Sequence, residues 1–235
     1  MNDKAQATAP VDVVIMAAGK GTRMKSRLPK VLHRLAGRAL LGHVLDTAAR
    51  LQARSRVVIT GHGADEVEAA MRGVADGADL HFVRQEPQLG TGHAVQQAVP
   101  VLPDDGIVVV LSGDVPLTQA DTLRALIERC GGSRLALLTI DFADPTGYGR
   151  IVRASSGPDA AVQAIVEHKD ASDEQRRITE VYSGIMAVPA RPLKGWLARL
   201  DNRNAQQEYY LTDVVRFAVS DGVEVVAHRI QDALQ

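Results

Sequence analysis

The first stretch able to do chemistry is a basic loop that follows an apolar run near the amino terminus. In MAAGKGTRMKSRLPKVL (residues 16–32) two glycines alternate with five cations, Lys20, Arg23, Lys25, Arg27 and Lys30. No acidic residue lies between Asp12 and Asp46. Glycines at the carboxyl end of a strand let backbone N–H groups approach an anion, and the cations add positive charge. The loop therefore predicts a phosphate-binding site in preference to an ordinary solvated basic loop.

Two familiar phosphate-binding loops do not fit these residues. Met24 stands where the third glycine of a dinucleotide fingerprint would follow Gly19 and Gly21. Lys20 precedes Gly21 and Thr22, so the Walker spacing is missing as well. The mismatch disfavours an NAD-dependent oxidoreductase.

A second candidate site follows the apolar run IVVVL, where Ser112, Gly113 and Asp114 stand at the carboxyl end of an expected strand. Thr118 to Asp121 has the pattern of a capping box for the next helix, which leaves Asp114 free for another role. Asp114 is therefore a candidate metal ligand, with a turn residue as the alternative, and the family resemblance described below favours the metal ligand.

Alternating strands and helices must position these loops. Apolar runs and helical periodicity predict strands at 13–17, 57–60, 80–83, 107–111 and 135–140, with helices at about 40–51, 64–71, 93–99 and 119–130. This alternation predicts an α/β fold with a mainly parallel sheet, helices on both faces and ligands beyond the carboxyl ends of the strands. The segment at about 141–188 is β-rich, and we interpret it as an insertion beside the sheet. Helices near 193–200 and 211–220 and a strand at 223–227 follow.

Composition limits the class of protein. The 27 Lys and Arg balance 28 Asp and Glu, which gives no field that would attract nucleic acid or an anionic membrane. The single cysteine, Cys130, has no partner for an internal disulfide, which suits a reducing compartment. Residues 1–10 lack the apolar core of a signal peptide and are predicted to be a disordered tail. We expect a cytoplasmic protein without nucleic-acid or membrane partners, in which residues 11–235 form one domain.

Several motifs together resemble a known family. AAGKGTRM followed by LPKVL is similar to the signature of sugar-nucleotide pyrophosphorylases, which are nucleotidyltransferases with a Rossmann-like sheet of the nucleotide-diphospho-sugar transferase type. QLGTGHAVQQA, SGDVPL, DPTGYGRIVR, IVEHKDASDEQR and NAQQEYYLTD resemble the N-terminal uridyltransferase domain of the bacterial bifunctional GlmU family, over about residues 11–230. The resemblance implies a Mg²⁺-dependent enzyme that makes UDP-N-acetylglucosamine and pyrophosphate from UTP and N-acetylglucosamine-1-phosphate, for peptidoglycan and lipopolysaccharide synthesis.

The resemblance also assigns roles to residues near the nucleotide. Lys30 and Arg23 are the implied catalytic cations, Asp114 is the implied metal ligand, and Gln85 with Gly90 and Thr91 would read uracil. Thr91 is alternatively an ordinary helix N-cap, and Ser112 replaces a tyrosine that many relatives have. The full set implied to bind the nucleotide is Met16, Ala17, Ala18, Gly19, Lys30, Gln85, Gly90, Thr91, Ser112, Gly113 and Asp114.

The sugar-binding residues implied by the resemblance lie mostly in the insertion. They are Gly149, Glu167, Tyr182, Tyr210 and Thr212. Tyr182 stands where the family has asparagine, so its phenol either donates to a sugar hydroxyl or the contact is lost. Tyr210 is alternatively a core residue. His93 and His168 are interpreted as structural, because a phosphate nucleophile is already ionised and needs no base.

In the bifunctional family a left-handed β-helix acetyltransferase domain follows, and an asparagine just past this domain is a second metal ligand. The sequence ends at Gln235 without hexapeptide repeats, so we expect an isolated or truncated uridyltransferase domain, with a trimer only where the β-helix is present. Another sugar- or polyol-phosphate nucleotidyltransferase is an alternative, disfavoured by EHKDA and DPTGYGR. A non-catalytic nucleotide-sugar-binding module is another, disfavoured by the presence of both Lys30 and Asp114.

Overall fold

A computed structural model describes residues 9–21, 24, 26–73, 80–155, 157 and 160–232. The strands are β1 (Val11–Met16), β2 (Arg34–Leu35), β3 (Arg38–Ala39), β4 (Ser55–Thr60), β5 (Leu80–Arg84), β6 (Ile107–Ser112), β7 (Leu135–Asp141), β8 (Arg150–Arg153), β9 (Val162–Val166), β10 (Glu180–Pro189) and β11 (Val225–Ile230). The helices are α1 (Leu40–Ala49), α2 (Ala64–Arg72), α3 (Thr91–Gln96), α4 (Ala120–Cys130), α5 (Asp173–Arg176), α6 (Ala190–Leu197) and α7 (Asp213–Ser220). Single 3-10 turns occur at Lys30–Leu32 and Val99–Val101.

One sheet organises the chain, with strand order β11-β7-β10-β6-β1-β4-β5. Apart from β10, neighbouring strands in this order run parallel, which confirms the predicted α/β fold. Val13, Val14 and Ile15 of β1 have no exposed surface, because apolar clusters cover both faces of the sheet. This explains why the central strands have continuous apolar sequences instead of alternating ones.

The β-rich segment differs from its predicted position. We expected it to lie beside the sheet, but its last strand, β10, enters the sheet between β6 and β7 and is antiparallel to both. The residues from Ile185 to Ala190 are all buried, as a central strand requires. β8 and β9 lie off the main order, where β8 pairs with both β9 and β10, while β2 and β3 pair with each other in a separate two-stranded sheet. The segment therefore contributes β10 to the main sheet, while β8 and β9 extend from that strand.

The start of the described chain is held against the sheet. Pro10, expected to belong to the disordered tail, accepts a hydrogen bond from the Ile107 backbone N–H at 2.8 Å. Residues 1–8 of the predicted tail lie outside the described residues. Among the described residues, no helix combines the length and apolar character needed to cross a bilayer.

Candidate active site

An open cleft of about 500 Å³ lies where β1, β5 and β6 end. All but one of the predicted nucleotide-binding residues line it, namely Met16, Ala17, Ala18, Gly19, Lys30, Gln85, Gly90, Thr91, Ser112 and Asp114. The exception is Gly113, whose backbone N–H donates to the Met16 carbonyl oxygen at 2.9 Å. A side chain on Gly113 would come within 3.1 Å of that oxygen, so this glycine lets the ends of β1 and β6 approach.

Lys30 is fixed by the packing of its neighbours. Pro29 and Val31 are buried on either side of it, so the main chain cannot shift freely. Gly63, with φ of 67°, packs directly against Pro29, and a Cβ there would lie 2.6 Å from the Pro29 Cγ. Gly21 approaches the Lys30 side chain with similar closeness. The glycines thus allow three loops to meet around one lysine.

Lys30 and Asp114 form an ion pair inside the cleft. Their side chains are 39% and 29% exposed, so the pair is accessible to a ligand and contributes little to stability. Lys20 also lines the cleft, which places two of the predicted cations there. Arg23, the other predicted catalytic cation, lies outside the described residues.

The predicted capping box before α4 is wrong. The residue at the N-cap is Gln119, and no side chain caps this helix. The Thr118 hydroxyl is buried without a hydrogen-bond partner among the described residues. Asp114 is therefore assigned to the site by its position and its contact with Lys30, not because another residue caps the helix.

Asp114 is the carboxylate best placed to share a metal with phosphates. Within the described part of the chain, no group of three or more His, Cys, Asp or Glu side chains could hold an ion by itself. Mg²⁺ is commonly bound by one or two carboxylates together with substrate phosphates. Asp114 and Glu208 are the carboxylates among the described residues that line the cleft, and Asp114, which contacts Lys30, fits that mode.

The loop after β5 presents a buried amide to the cleft. Gln85 is 3% exposed, and its Nε2 donates to the Gly90 carbonyl oxygen at 2.9 Å. Gln88, which sequence reasoning missed, also lines the cleft and donates to the Gln85 carbonyl oxygen. The signal available for it is its position as the first residue of the QLGTG motif, three residues after Gln85. Hydrogen bonds therefore join the Gln85 side-chain amide to the loop of residues 85–90.

Thr91 is not the N-cap of α3, because Gly90 occupies that position and Thr91 is the first helical residue. The Thr91 hydroxyl instead accepts a hydrogen bond from the Leu211 backbone N–H at 3.0 Å. The Tyr209 carbonyl oxygen accepts from the Gly92 N–H at 2.7 Å. Residues 208–212 therefore form a strap that joins the loop at the nucleotide cleft to the predicted sugar-binding residues.

The predicted sugar-binding residues meet at one end of the β8, β9 and β10 unit. The register aligns Arg150 with Val166 and Val181, which places Gly149 beside Glu167 and Tyr182. Thr212, at the end of the strap, donates to Glu167 Oε1 at 3.0 Å. Tyr210 instead donates to Asp170 Oδ2 at 3.1 Å and is otherwise buried.

Burial shifts the pKa values of two predicted sugar-binding residues. Desolvation raises the pKa of Glu167 above its ordinary value, against the opposing hydrogen bond from Thr212. Desolvation, with the nearby Glu167 charge, also raises the pKa of the Tyr182 phenol. The Tyr182 hydroxyl is buried and has no hydrogen-bond partner among the described residues. A neutral donor therefore sits close to a half-buried carboxylate.

His168 has a structural contact, since its Nδ1 lies 3.2 Å from a guanidinium nitrogen of the buried Arg150. The other histidine of the sequence analysis, His93, contacts Gln85 and is considered below.

Three comparisons with known proteins agree on the kind of domain. The profile of the MobA-like NTP transferase domain matches residues 13–182. Proteins named bifunctional protein GlmU from Polaromonas naphthalenivorans and Albidiferax ferrireducens are 72% and 74% identical over 229 and 228 residues. Each alignment covers 96% of this chain but 48% of the relative, so the chain spans about half the length of these curated relatives.

Solved structures share the fold. A UDP-glucose pyrophosphorylase in complex with UDP-glucose superposes with a TM-score of 0.77 at 15% identity, covering 94% of this chain and 91% of that chain. A UDP-glucose pyrophosphorylase from Acinetobacter baumannii gives 0.74 at 22% identity, covering 94% and 86%. At these identities the likeness shows the fold alone.

Proposed function

The chain belongs to the MobA-like NTP transferase family, and from this premise we propose that it is a uridyltransferase. Its substrates are UTP and N-acetylglucosamine-1-phosphate, and its products are UDP-N-acetylglucosamine and pyrophosphate. The observation that carries the proposal is the Lys30–Asp114 contact inside the cleft lined by most of the other predicted nucleotide-binding residues. The high identity to bifunctional GlmU proteins supports the choice of sugar, and a cytoplasmic location stays a prediction.

The reaction demands positioning and charge compensation more than proton transfer. A phosphate oxygen of the sugar attacks the α-phosphorus of UTP, and the bond to pyrophosphate breaks. The nucleophile is already an anion, so two negative groups must be brought together and their charge offset. Lys30 supplies a cation held in place by buried neighbours, and residues 17–19 border the same cleft.

Nucleotidyltransferases of this kind use a divalent metal ion, and we propose Mg²⁺. Asp114 is the residue of this chain that would hold it, together with phosphate oxygens of the nucleotide. When bound, the ion would neutralise phosphate charge and polarise the phosphorus–oxygen bonds. The Lys30–Asp114 pair would then separate, so that each side chain meets a phosphate or the ion.

Two regions of the chain would select the substrates. At the base, Gln85 Nε2 donates to the Gly90 carbonyl oxygen, which leaves Oε1 to accept a hydrogen bond from the N3–H of uracil. At the sugar, Glu167 would accept from hydroxyl groups beside the Gly149 backbone. The Tyr182 hydroxyl would gain a partner if the sugar supplies an acceptor. The strap at 208–212 connects these two regions.

The direct test is release of pyrophosphate by the purified chain with each nucleoside triphosphate and N-acetylglucosamine-1-phosphate, with and without Mg²⁺. We expect metal-dependent turnover with UTP and far slower turnover with CTP or purine nucleotides. A site built to pair with buried polar edges rejects mismatches because its own groups are left unpaired. Equal turnover with ATP would contradict the base assignment, and turnover restricted to another sugar phosphate would favour a different nucleotidyltransferase.

The raised pKa of Glu167 predicts a pH-dependent affinity for the sugar phosphate. As the pH falls through the raised pKa, the carboxylate gains a proton and becomes a weaker acceptor, so KM should rise. Above that pKa, the ionised group should give a constant KM. In Glu167→Gln we expect a KM about tenfold higher near neutral pH, the effect of losing one hydrogen bond to a charged group.

The measurement is KM for N-acetylglucosamine-1-phosphate from about pH 5 to about pH 8 in both proteins. The substrate phosphate titrates in this range too, and the Glu167→Gln variant isolates the contribution of that phosphate. Parallel pH curves for the two proteins would show that Glu167 does not contact the sugar.

A further inference from the structure

The buried glutamine at the cleft has its orientation fixed by two groups behind it. Gln85 Nε2 lies 2.9 Å from the Gly90 carbonyl oxygen and 3.2 Å from Nδ1 of His93. A carbonyl oxygen only accepts, so the amide atom that faces Gly90 is the nitrogen. The Oε1 atom is consequently the one that remains for a ligand in the cleft.

His93 belongs to α3 and is not among the residues that line the cleft. Its other ring nitrogen, Nε2, lies 3.2 Å from Nε2 of Gln97. A neutral imidazole has one accepting nitrogen, so the two glutamine amides compete for it. Gln85 is buried, whereas Gln97 is half-buried and also donates to the His93 carbonyl oxygen. An unpaired donor costs more free energy where water is excluded, so the acceptor is assigned to Nδ1 and the proton to Nε2.

We propose that His93 is a positioning residue for base selection, because its Nδ1 holds the Gln85 amide with Oε1 toward the base. The inference rests on the proposed function, in which the pyrimidine lies against Gln85. Uracil offers an N3–H donor to Oε1, whereas cytosine offers a lone pair at N3. An inverted amide would reverse this preference. His93 therefore contributes to the selection of UTP over CTP without touching the nucleotide.

Two substitutions at this position separate the acceptor from the ring. His93→Leu removes the acceptor and keeps an apolar side chain of similar size. His93→Asn removes the ring but places Oδ1 on Cγ, where histidine carries Nδ1. We expect the ratio of kcat/KM for UTP to that for CTP to fall about 5- to 10-fold in His93→Leu, the effect of one neutral hydrogen bond. His93→Asn should keep the ratio within about twofold of the wild type.

The change in His93→Leu should appear as a higher KM for UTP, with KM for the sugar phosphate unchanged. The matched control is Gln97→Leu, which removes the contact to the other ring nitrogen and should leave the ratio unaltered. A wild-type ratio in His93→Leu would overturn the inference. An equal fall in Gln97→Leu would also overturn it, because the effect would then come from the packing of α3.

Calorimetric Kd values for UTP and CTP, without sugar phosphate, separate this inference from the proposed reaction. Selective binding of UTP that weakens in His93→Leu supports the inference even if N-acetylglucosamine-1-phosphate is not turned over, a result that would contradict the reaction. Equal Kd values for UTP and CTP in the wild type would overturn both the base assignment and the role of His93. Full turnover with an unchanged Kd ratio in His93→Leu would overturn only the latter.

Discussion

Lys30→Ala should lower the turnover number about 10²- to 10³-fold, the usual effect of removing one preorganised group that stabilises charge in the transition state. Added Mg²⁺ should not restore the rate, because the lost cation acts on the transferring phosphate and not on the metal. The protein should remain folded, since Lys30 is partly exposed and its ion pair with Asp114 contributes little to stability. Steady-state rates across a Mg²⁺ titration, with melting temperatures, test this prediction.

The matched control for Lys30→Ala is Arg27→Ala. Arg27 is an exposed cation of the same loop that does not line the cleft, so its removal makes the same change in net charge. Its rate should stay within about threefold of the wild type if position rather than loop charge matters. A similar loss in both variants would show that the loop acts through its overall field. A normal rate in Lys30→Ala would remove Lys30 from the proposed mechanism.

Asp114→Asn should raise the Mg²⁺ concentration needed for half-maximal rate about 10- to 100-fold, because the substitution keeps the size of the side chain but removes its charge. High Mg²⁺ should restore part of the rate, since mass action offsets weaker binding. This response separates Asp114 from Lys30, whose loss the metal cannot repair. The two residues contact each other, so their substitutions need not be additive.

Asp121→Asn provides the control for Asp114→Asn. Asp121 is an exposed carboxylate on α4 that pairs with Arg124, away from the cleft. Its Mg²⁺ dependence should match that of the wild type. A wild-type Mg²⁺ dependence in Asp114→Asn would show that Asp114 is a turn residue, and the metal would have to be held by other groups.

Features set by neighbouring residues could be predicted from the sequence. The apolar runs from Val13 and from Ile107 indicate buried strands, because they are short, rich in β-branched residues and apolar on both faces. The glycines and cations of residues 16–32 likewise indicate an anion site, and most of the predicted nucleotide-binding residues line one cleft. Their roles in binding stay predictions.

Features that depend on distant segments could not be predicted. The sequence predicts that β10 belongs to an insertion beside the sheet, whereas β10 lies between β6 and β7. Its own sequence does not specify which strands flank it. The capping-box pattern at Thr118 was locally plausible, but packing placed the helix start one residue later. Both errors arise where tertiary contacts outweigh a local preference.

The sequence by itself determined the chemistry of the loops and the alternation of strands and helices, since both follow from residues close together in the chain. Only the tertiary structure decided which loops meet. Strand register brings Gly149, Glu167 and Tyr182 together. The Leu211 backbone N–H donates a hydrogen bond to the Thr91 hydroxyl. The contact of His93 with Gln85 depends on how α3 packs behind the loop after β5. Such contacts are fixed by burial of the whole core, which no short stretch of sequence encodes.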